Sequence, residues 1–276
     1  MVTREQKYET FRALHERAGA FVIPNPWDAG SAKILAALGF EALATTSAGC
    51  AFSLGYLDSA PEMTRELILA NSKSIVAATT IPVSADLQNG FGDAPEECAE
   101  TIRLAASAGL AGGSIEDYSG DDSKPIYEFQ LAVERVSAAA KAAHAANFFL
   151  TARAENYLHD RADLDYTIRR LRAFADAGAD AVYAPGLASL DDIRKVCASV
   201  SKPVNVLAGL PGTHFSVEQL AAAGVKRISV GGSLARAALG ALVRAAREIE
   251  DKHTFTFAAD ALPSAEVKRY LTGAKS

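Results

Sequence analysis

The chain has 276 residues, 49% of them hydrophobic and 22% charged, with a formal net charge of −5. That is enough chain for a substantial core, and the acidic balance gives no electrostatic footprint for nucleic acid or an anionic membrane. The opening Met1-Val2-Thr3-Arg4-Glu5-Gln6-Lys7 is too polar for a signal peptide and no apolar run approaches bilayer length, so the expected location is cytoplasmic.

Tyr8, Phe11 and Leu14 fall at helical spacing, which predicts an amphipathic helix over Thr3 to Ala18 that covers one end of the fold. Phe21-Val22-Ile23 reads as a first strand, running through the stiff turn Pro24-Asn25-Pro26-Trp27-Asp28 into a helix from Ala29 to Leu38. A pattern then recurs in which a helix ends on glycine and drops into a strand. It occurs at Leu38-Gly39-Phe40, Ala108-Gly109-Leu110, Ala177-Gly178-Ala179 and Ala223-Gly224-Val225. Other strands lie between, at Phe21 to Ile23, Ile81 to Ala85, Asn147 to Ala152 and Pro203 to Leu207. Eight strand signals separated by helices, with no hairpin signature, predict a parallel sheet closed as a TIM-type (β/α)8 barrel of the usual ~250 residues. The expected organisation is one barrel domain over residues 1–276, with the N-terminal covering helix and a C-terminal helical extension. A doubly wound sheet is the competitor, but its glycine-rich fingerprint is missing after the first strand.

Two strands end in acid. Val83-Ser84-Ala85-Asp86 leads into Gln88-Asn89-Gly90-Phe91-Gly92, and Gly113-Ser114-Ile115 leads into Glu116-Asp117. Carboxylates where buried strands emerge cost desolvation energy unless a cation meets them, and a divalent ion is the usual partner; the structural alternative is a helix N-cap. The fifth strand ends in Arg153, whose planar fork suits a substrate carboxylate, or else an ion pair with Glu155 or Glu116. Two connections are long for a barrel. Thr45 to Asp58 and Tyr118 to Pro125 both leave strand C-termini, where barrel enzymes build walls and lids. Asn205 faces the site or ties down a neighbouring loop, and Gly231-Gly232-Ser233 offers backbone amides to an anion. The cysteines, Cys98 and Cys197 on helices and Cys50 in the first long loop, form neither a disulfide framework nor a zinc spacing. After Leu234 the chain reads as helix to about Asp251, then Phe255-Thr256-Phe257 and a last helix over Ser264 to Leu271. Exposed aromatics there suit packing on another subunit.

With these residues the chain resembles the isocitrate lyase and phosphoenolpyruvate mutase superfamily from about Phe21 to Gly240. The matching pieces are Asn25-Pro26-Trp27-Asp28, Thr46-Ser47-Ala48-Gly49, Asp86 with Gly90-Phe91-Gly92, Ile115-Glu116-Asp117 and Ala152-Arg153-Ala154-Glu155. The resemblance implies a barrel whose eighth helix is exchanged between subunits of a homodimer or homotetramer. It also implies a Mg2+ or Mn2+ cofactor, a 2-oxo or 2-hydroxy acid substrate and an enolate-like species. Asp86 corresponds to the direct metal ligand and Glu116 to one acting through water. Arg153 corresponds to the carboxylate clamp, and Thr46, Ser47, Ala48 and Gly49 to the loop gripping the same carboxylate. Asp58 corresponds to the acid that closes the site.

The chain also departs from the family. Gln88 stands where many relatives carry a second aspartate, and the loop Ser119-Gly120-Asp121-Asp122-Ser123-Lys124 lacks the lyase cysteine. Lys124 is displaced from the mutase lysine, and the asparagine-serine pair is missing. Tyr118, Asp58 or a metal-bound water is then the expected proton donor, and the catalytic set is Arg153, Asp58, Tyr118 and Lys124. Cys50 lies in the opposite loop. The reading is a Mg2+-dependent carbon-carbon lyase for a small dicarboxylate, isocitrate or methylisocitrate lyase-like or oxaloacetate decarboxylase-like. The alternatives are phosphorus-carbon chemistry, of the phosphoenolpyruvate mutase or phosphonopyruvate hydrolase kind, and a non-catalytic oxo-acid binding protein.

Overall fold

The computed structural model describes residues 2–210 and 212–273. Helix α1 (Arg4–Glu16) is opened by a reciprocal cap in which the Thr3 hydroxyl accepts from the Gln6 amide and the Gln6 side chain accepts from Thr3 N–H. Eight strands come after it: β1 (Phe21–Ile23), β2 (Leu43–Ala44), β3 (Val83–Asp86), β4 (Gly112–Glu116), β5 (Phe149–Arg153), β6 (Ala181–Tyr183), β7 (Val204–Leu207) and β8 (Arg227–Ser229). The barrel helices are α2 (Ala29–Ala37), α4 (Arg65–Ala78), α5 (Pro95–Ser107), α6 (Phe129–Ala145), α7 (Leu164–Asp176), α8 (Leu190–Ser199) and α9 (Val217–Ala222). All pairings are parallel, in the order β1-β8-β7-β6-β5-β4-β3-β2, and Ala44 N–H donates to Pro24 O at 3.1 Å across the remaining seam. The TIM-type barrel read from the sequence is the observed fold. Its four helix-to-strand glycines take the left-handed conformation, with φ of +92° at Gly39, +93° at Gly109, +108° at Gly178 and +95° at Gly224.

One connection differs from the expectation. The stretch Thr45 to Asp58, read as a long loop, contains helix α3 (Ser47–Leu54), capped by the Thr46 hydroxyl on Gly49 N–H and ended by Gly55 at φ +80°. Its small residues carry no apolar periodicity, so the cap is the only sequence signal of it. Cys50 is consequently a buried helix residue and not a loop thiol.

Register decides what fills the barrel. Glu116 pairs with Arg153, Arg153 with Tyr183, Tyr183 with Asn205, Asn205 with Arg227, and Arg227 with Phe21. Partners in a parallel ladder share a face, and this row points inward, while Ala152, Val182, Val204, Val206 and Ile228 point out into the main core beneath the helices. Because barrel strands are tilted, the row descends from strand C-termini at Glu116 to strand N-termini at Arg227 and Phe21. The lower end is filled by Phe21, Phe149 and Ala181 and plugged by Phe11 and Leu14 of α1. Above that plug the inward residues include Ser84, Ser114, Thr151, Asn205, Arg227 and Ser229, with Ile23, Ala44 and Leu207 beside them, where barrels commonly place bulky branched chains throughout. Short polar side chains leave the upper interior hollow.

Beyond β8, α10 (Ser233–Lys252) buries only Ala235 of its twenty residues, and Leu239, Leu242, Val243 and Ile249 are exposed. It stands off the barrel. Helix α11 (Ser264–Thr272) returns beside α2, where Lys33 Nζ donates to Leu271 O at 3.2 Å. Among the described residues no helix is long and apolar enough to cross a membrane.

Two buried polar groups tie the barrel together. Asp117, just past β4, accepts from Glu155 N–H at 2.8 Å and pairs with Arg170 of α7 at 3.2 Å, both side chains almost wholly buried. Burial pushes the Asp117 carboxyl up to about 7 against the pull of Arg170. Replacing Arg170 by Met leaves that acid without its cation, and the urea midpoint should fall by the equivalent of about 3–5 kcal/mol with the m-value unchanged. The second group is His15, stacked on Phe149 with ring centroids 4.0 Å apart and bonded through Nδ1 to Phe11 O at 2.8 Å. Burial first, and then Arg227, hold its pKa well below the ordinary value. The unfolded chain therefore binds this proton first: the His15 contribution is whole above pH ~6.5 and falls by about 1.4 kcal/mol per pH unit below it, down to the folded value. Wild type should lose stability relative to His15→Gln between pH 7 and pH 5 in parallel urea titrations.

Candidate active site

The carboxylates at the strand ends converge on one guanidinium. Arg153 Nη1 meets Asp86 Oδ1 at 3.0 Å, Nη2 meets Glu116 Oε2 at 3.2 Å and Nε meets Glu155 Oε1 at 2.9 Å, with the Tyr183 ring 5.1 Å away. Neither acid is an N-cap. The helices after β3 and β4 start at Pro95 and Phe129, behind Ala94 and Glu128. Asp86 Oδ2 accepts from Ser47 Oγ at 2.9 Å and from Ser47 N–H at 3.3 Å, so the start of α3 is fastened to β3. Asp58 reaches the same hydroxyl at 3.2 Å, and the Gln88 amide points at Asp58 at 3.4 Å from a residue with φ +47°.

Burial first, and then the neighbouring charges, set the protonation of this cluster. Asp58, Asp86, Glu116 and Glu155 gather around Arg153, so acid outnumbers base. Burial raises Glu116 far above the carboxylate range, opposed by Arg153 and reinforced by Glu155, Asp86 and Asp58. Burial also lowers Arg153, but Glu155, Glu116 and Asp86 outweigh it and hold the guanidinium firmly charged. Asp58 is pushed up to about 6 by burial and then by Asp86, against hydrogen bonds from Ser47 and Gln88.

These groups line a cavity of about 580 Å3 opening at the C-terminal ends of the strands. Thr46, Ser47, Ala48, Asp58, Asp86, Glu116, Tyr118, Arg153 and Asn205 all line it, so most of the residues singled out in the sequence meet there. Gly49 and Lys124 do not. A Cβ on Gly49 would lie 2.6 Å from Thr46 Cγ2 and 2.9 Å from Trp27 Cβ, and its amide is spent on the Thr46 hydroxyl, so packing demands the glycine. Lys124 is exposed on a loop closed by its own bonds, Ser119 N–H to Pro125 O at 2.8 Å and Lys124 N–H to Asp121 O at 3.0 Å. Tyr118, at the root of that loop, stacks on His159 at 4.2 Å and donates to Asp122 at 2.9 Å. The Gly231 amide, offered to an anion in the sequence reading, is taken with that of Val230 by Asn25 Oδ1, each at 2.9 Å. Asn205 both faces the cavity and binds its neighbours, Arg227 Nε and Ser229 Oγ, each at 2.9 Å.

Among the described residues no group of three or more His, Cys, Asp and Glu is arranged to hold a metal alone. The donors that do face the hollow fit a hard divalent ion that keeps several waters: Asp86 and Glu116 supply only oxygen, in a cluster with excess negative charge. The sequence reading missed Arg227 and Tyr183 as lining residues. Their signal was the ladder register, which alone shows that both share the inward row of Arg153.

The family model described as "Phosphoenolpyruvate phosphomutase" matches residues 11–250. A crystal structure of a candidate lyase/mutase from Burkholderia cenocepacia J2315 is 57% identical with a TM-score of 0.94, covering 97% of this chain and 96% of its own. An uncharacterized Mycobacterium tuberculosis protein is 32% identical over 243 residues, 88% of this chain and 89% of its own. The structure of 2,3-dimethylmalate lyase, a member of the PEP mutase/isocitrate lyase superfamily, is 25% identical with a TM-score of 0.84, covering 98% of this chain and 95% of its own. The chain belongs to the phosphoenolpyruvate phosphomutase family, within this superfamily of lyases and mutases.

Proposed function

We propose that the chain is a Mg2+-dependent lyase that cleaves a carbon-carbon bond in a small 2-oxo or 2-hydroxy dicarboxylate through an enolate-like intermediate. The observation that carries this reading is the joining of Asp86, Glu116 and Arg153 on neighbouring strand ends at the mouth of one hollow. Asp86 and Glu116 would hold the ion, Mg2+ or Mn2+, which when bound supplies Lewis-acid stabilisation to a developing oxyanion. Arg153 keeps a spare N–H on each terminal nitrogen beyond its bonds to Asp86 and Glu116, and these can take a substrate carboxylate. Thr46, Ser47 and Ala48 form the facing wall, with Asn205 deeper in.

Asp58 and Tyr118 are the proton donors in this reading, since both line the hollow and burial pushes the Asp58 carboxyl up to about 6. Lys124 would serve only if the loop 118–125 folded inward. A lid without the lyase cysteine suits decarboxylation, in which the departing CO2 takes no proton, or retro-aldol cleavage, in which the carbanion fragment would take its proton from Asp58 or Tyr118. The second reading, phosphorus-carbon chemistry, rests on the phosphomutase family match. We further take residues 1–276 as one cytoplasmic barrel unit. Its uncovered α10 would be exchanged with a second copy in a homodimer or homotetramer.

NMR of a panel of 2-oxo and 2-hydroxy diacids incubated with the protein and Mg2+ should reveal cleavage products, and EDTA should stop their formation. Asp86→Ala should lower this turnover by about 10²–10³-fold; unchanged turnover would refute the reading. Release of phosphate from phosphonopyruvate without cleavage of any diacid would favour the second reading, and saturable binding without any product would indicate a binding protein. In sedimentation experiments wild type should run as a dimer or larger, with Leu242→Glu shifting it towards monomer.

A further inference from the structure

Below the carboxylates the hollow ends on a cation that no acid among the described residues answers. Arg227 opens β8 with 5% exposure, and it lines the cavity. Nε donates to Asn205 Oδ1 at 2.9 Å, Nη2 donates to Thr151 Oγ1 at 2.9 Å, and Nη1 faces His15 Nε2 at 3.5 Å. All three partners are neutral. His15 uses its Nδ1 on Phe11 O, and burial keeps its ring uncharged. Tyr183 is no counter-ion, because burial pushes its phenol above the range in which it ionises near neutrality. Among the described residues no carboxylate lies within ion-pair distance of Arg227. Burial lowers its pKa to about 10, so it remains charged.

A buried cation without a counter-charge costs several kcal/mol, and a site of this kind is completed by an anion from outside. The row containing Arg227 fixes where that anion would sit. Arg153, Tyr183, Asn205 and Arg227 are successive ladder partners, so the two arginines are three strands apart on one inward face. With strands about 4.8 Å apart and tilted about 36°, Arg227 lies roughly 8 Å lower along the barrel axis. That drop is comparable to the length of a short diacid. Thr151, wholly buried behind the cavity wall, accepts from Arg227 and so holds that nitrogen in place.

We propose that Arg227 forms an anion subsite at the floor of the cavity, which takes the far carboxylate of the substrate and selects diacids over monoacids. For the near end of the substrate this rests on the lyase reading; the floor itself does not depend on bond cleavage. The two remaining N–H positions on the terminal nitrogens of Arg227 provide a fork for a carboxylate, and Asn205, fixed between Arg227 and Ser229, holds the guanidinium in place.

The test is calorimetric binding in Mg2+ with chain-matched pairs, malonate against propanoate and succinate against butanoate. Wild type should bind at least one diacid about tenfold more tightly than its partner monoacid, and Arg227→Met should bring that ratio to within about threefold while monoacid binding holds. Arg227→Lys should retain most of the preference. Equal binding of diacid and monoacid by wild type overturns the subsite, whether or not any variant folds. A preference that survives in Arg227→Met, or a parallel loss for both ligands, overturns it too. Tighter binding of 3-phosphonopropanoate than of succinate would assign the floor to a phosphonate and overturn the carboxylate assignment. Failure of Asp86→Ala to alter turnover would sink the lyase reading and leave this ratio standing, so the two failures are distinguishable.

Discussion

The constraint on which the upper barrel depends is that one arginine answers several acids on the wall of the cavity. Arg153 is bonded to Asp86, Glu116 and Glu155, which arrive from β3, β4 and the turn after β5. Remove the guanidinium and these groups cannot share one pocket in ionised form. Glu155 is itself fixed from behind, because its amide donates to Asp117, and Asp117 is held by Arg170 from α7. Two ion-pair layers therefore run from the helical shell to the cavity. The outer one is sealed and structural, while the inner one faces the hollow and carries more acid than base.

The strand C-termini determine the chemistry, and the strand middles determine whether there is room for it. A barrel packed with branched residues would present the same acids over a solid floor. Here Ser84 and Ser114 are too short to meet across the axis, and the space they leave joins the acids to Arg227. The polar middle requires its own order. Asn205 is anchored between Arg227 and Ser229, and His15 supplies a neutral nitrogen from α1.

Much of this was legible in the sequence. The helix-glycine-strand repeats identified the parallel barrel because a left-handed residue is required where a helix turns directly into a strand, and Gly39, Gly109, Gly178 and Gly224 all take it. Asp86, Glu116 and Arg153 could be assigned to one rim because each ends a strand, and strand ends of a barrel share a face. What stayed hidden depended on register or packing. Helix α3 has almost no apolar period, so the Thr46 to Gly49 stretch looked like a loop, and Gly49 was credited with a ligand role when Trp27 explains it. Lys124 was placed by its loop alone, and loop membership does not say which way a side chain faces. Arg227 looked like an ordinary charged residue at a strand start, and only its pairing with Asn205 and Phe21 puts it inside.

The plug formed by α1 has a consequence for traffic. Phe11 and Leu14, with Phe21 and Phe149, stop the lower end of the barrel, so a ligand of the hollow would enter and leave at the strand C-termini, where Asp58 and Tyr118 line the wall. A blind passage would impose an order on the proposed cleavage: the piece seated nearer the rim would depart before the deeper piece had a way out. The slow step of such a cycle would be the exit of the lower fragment, governed by residues far from the bond that breaks.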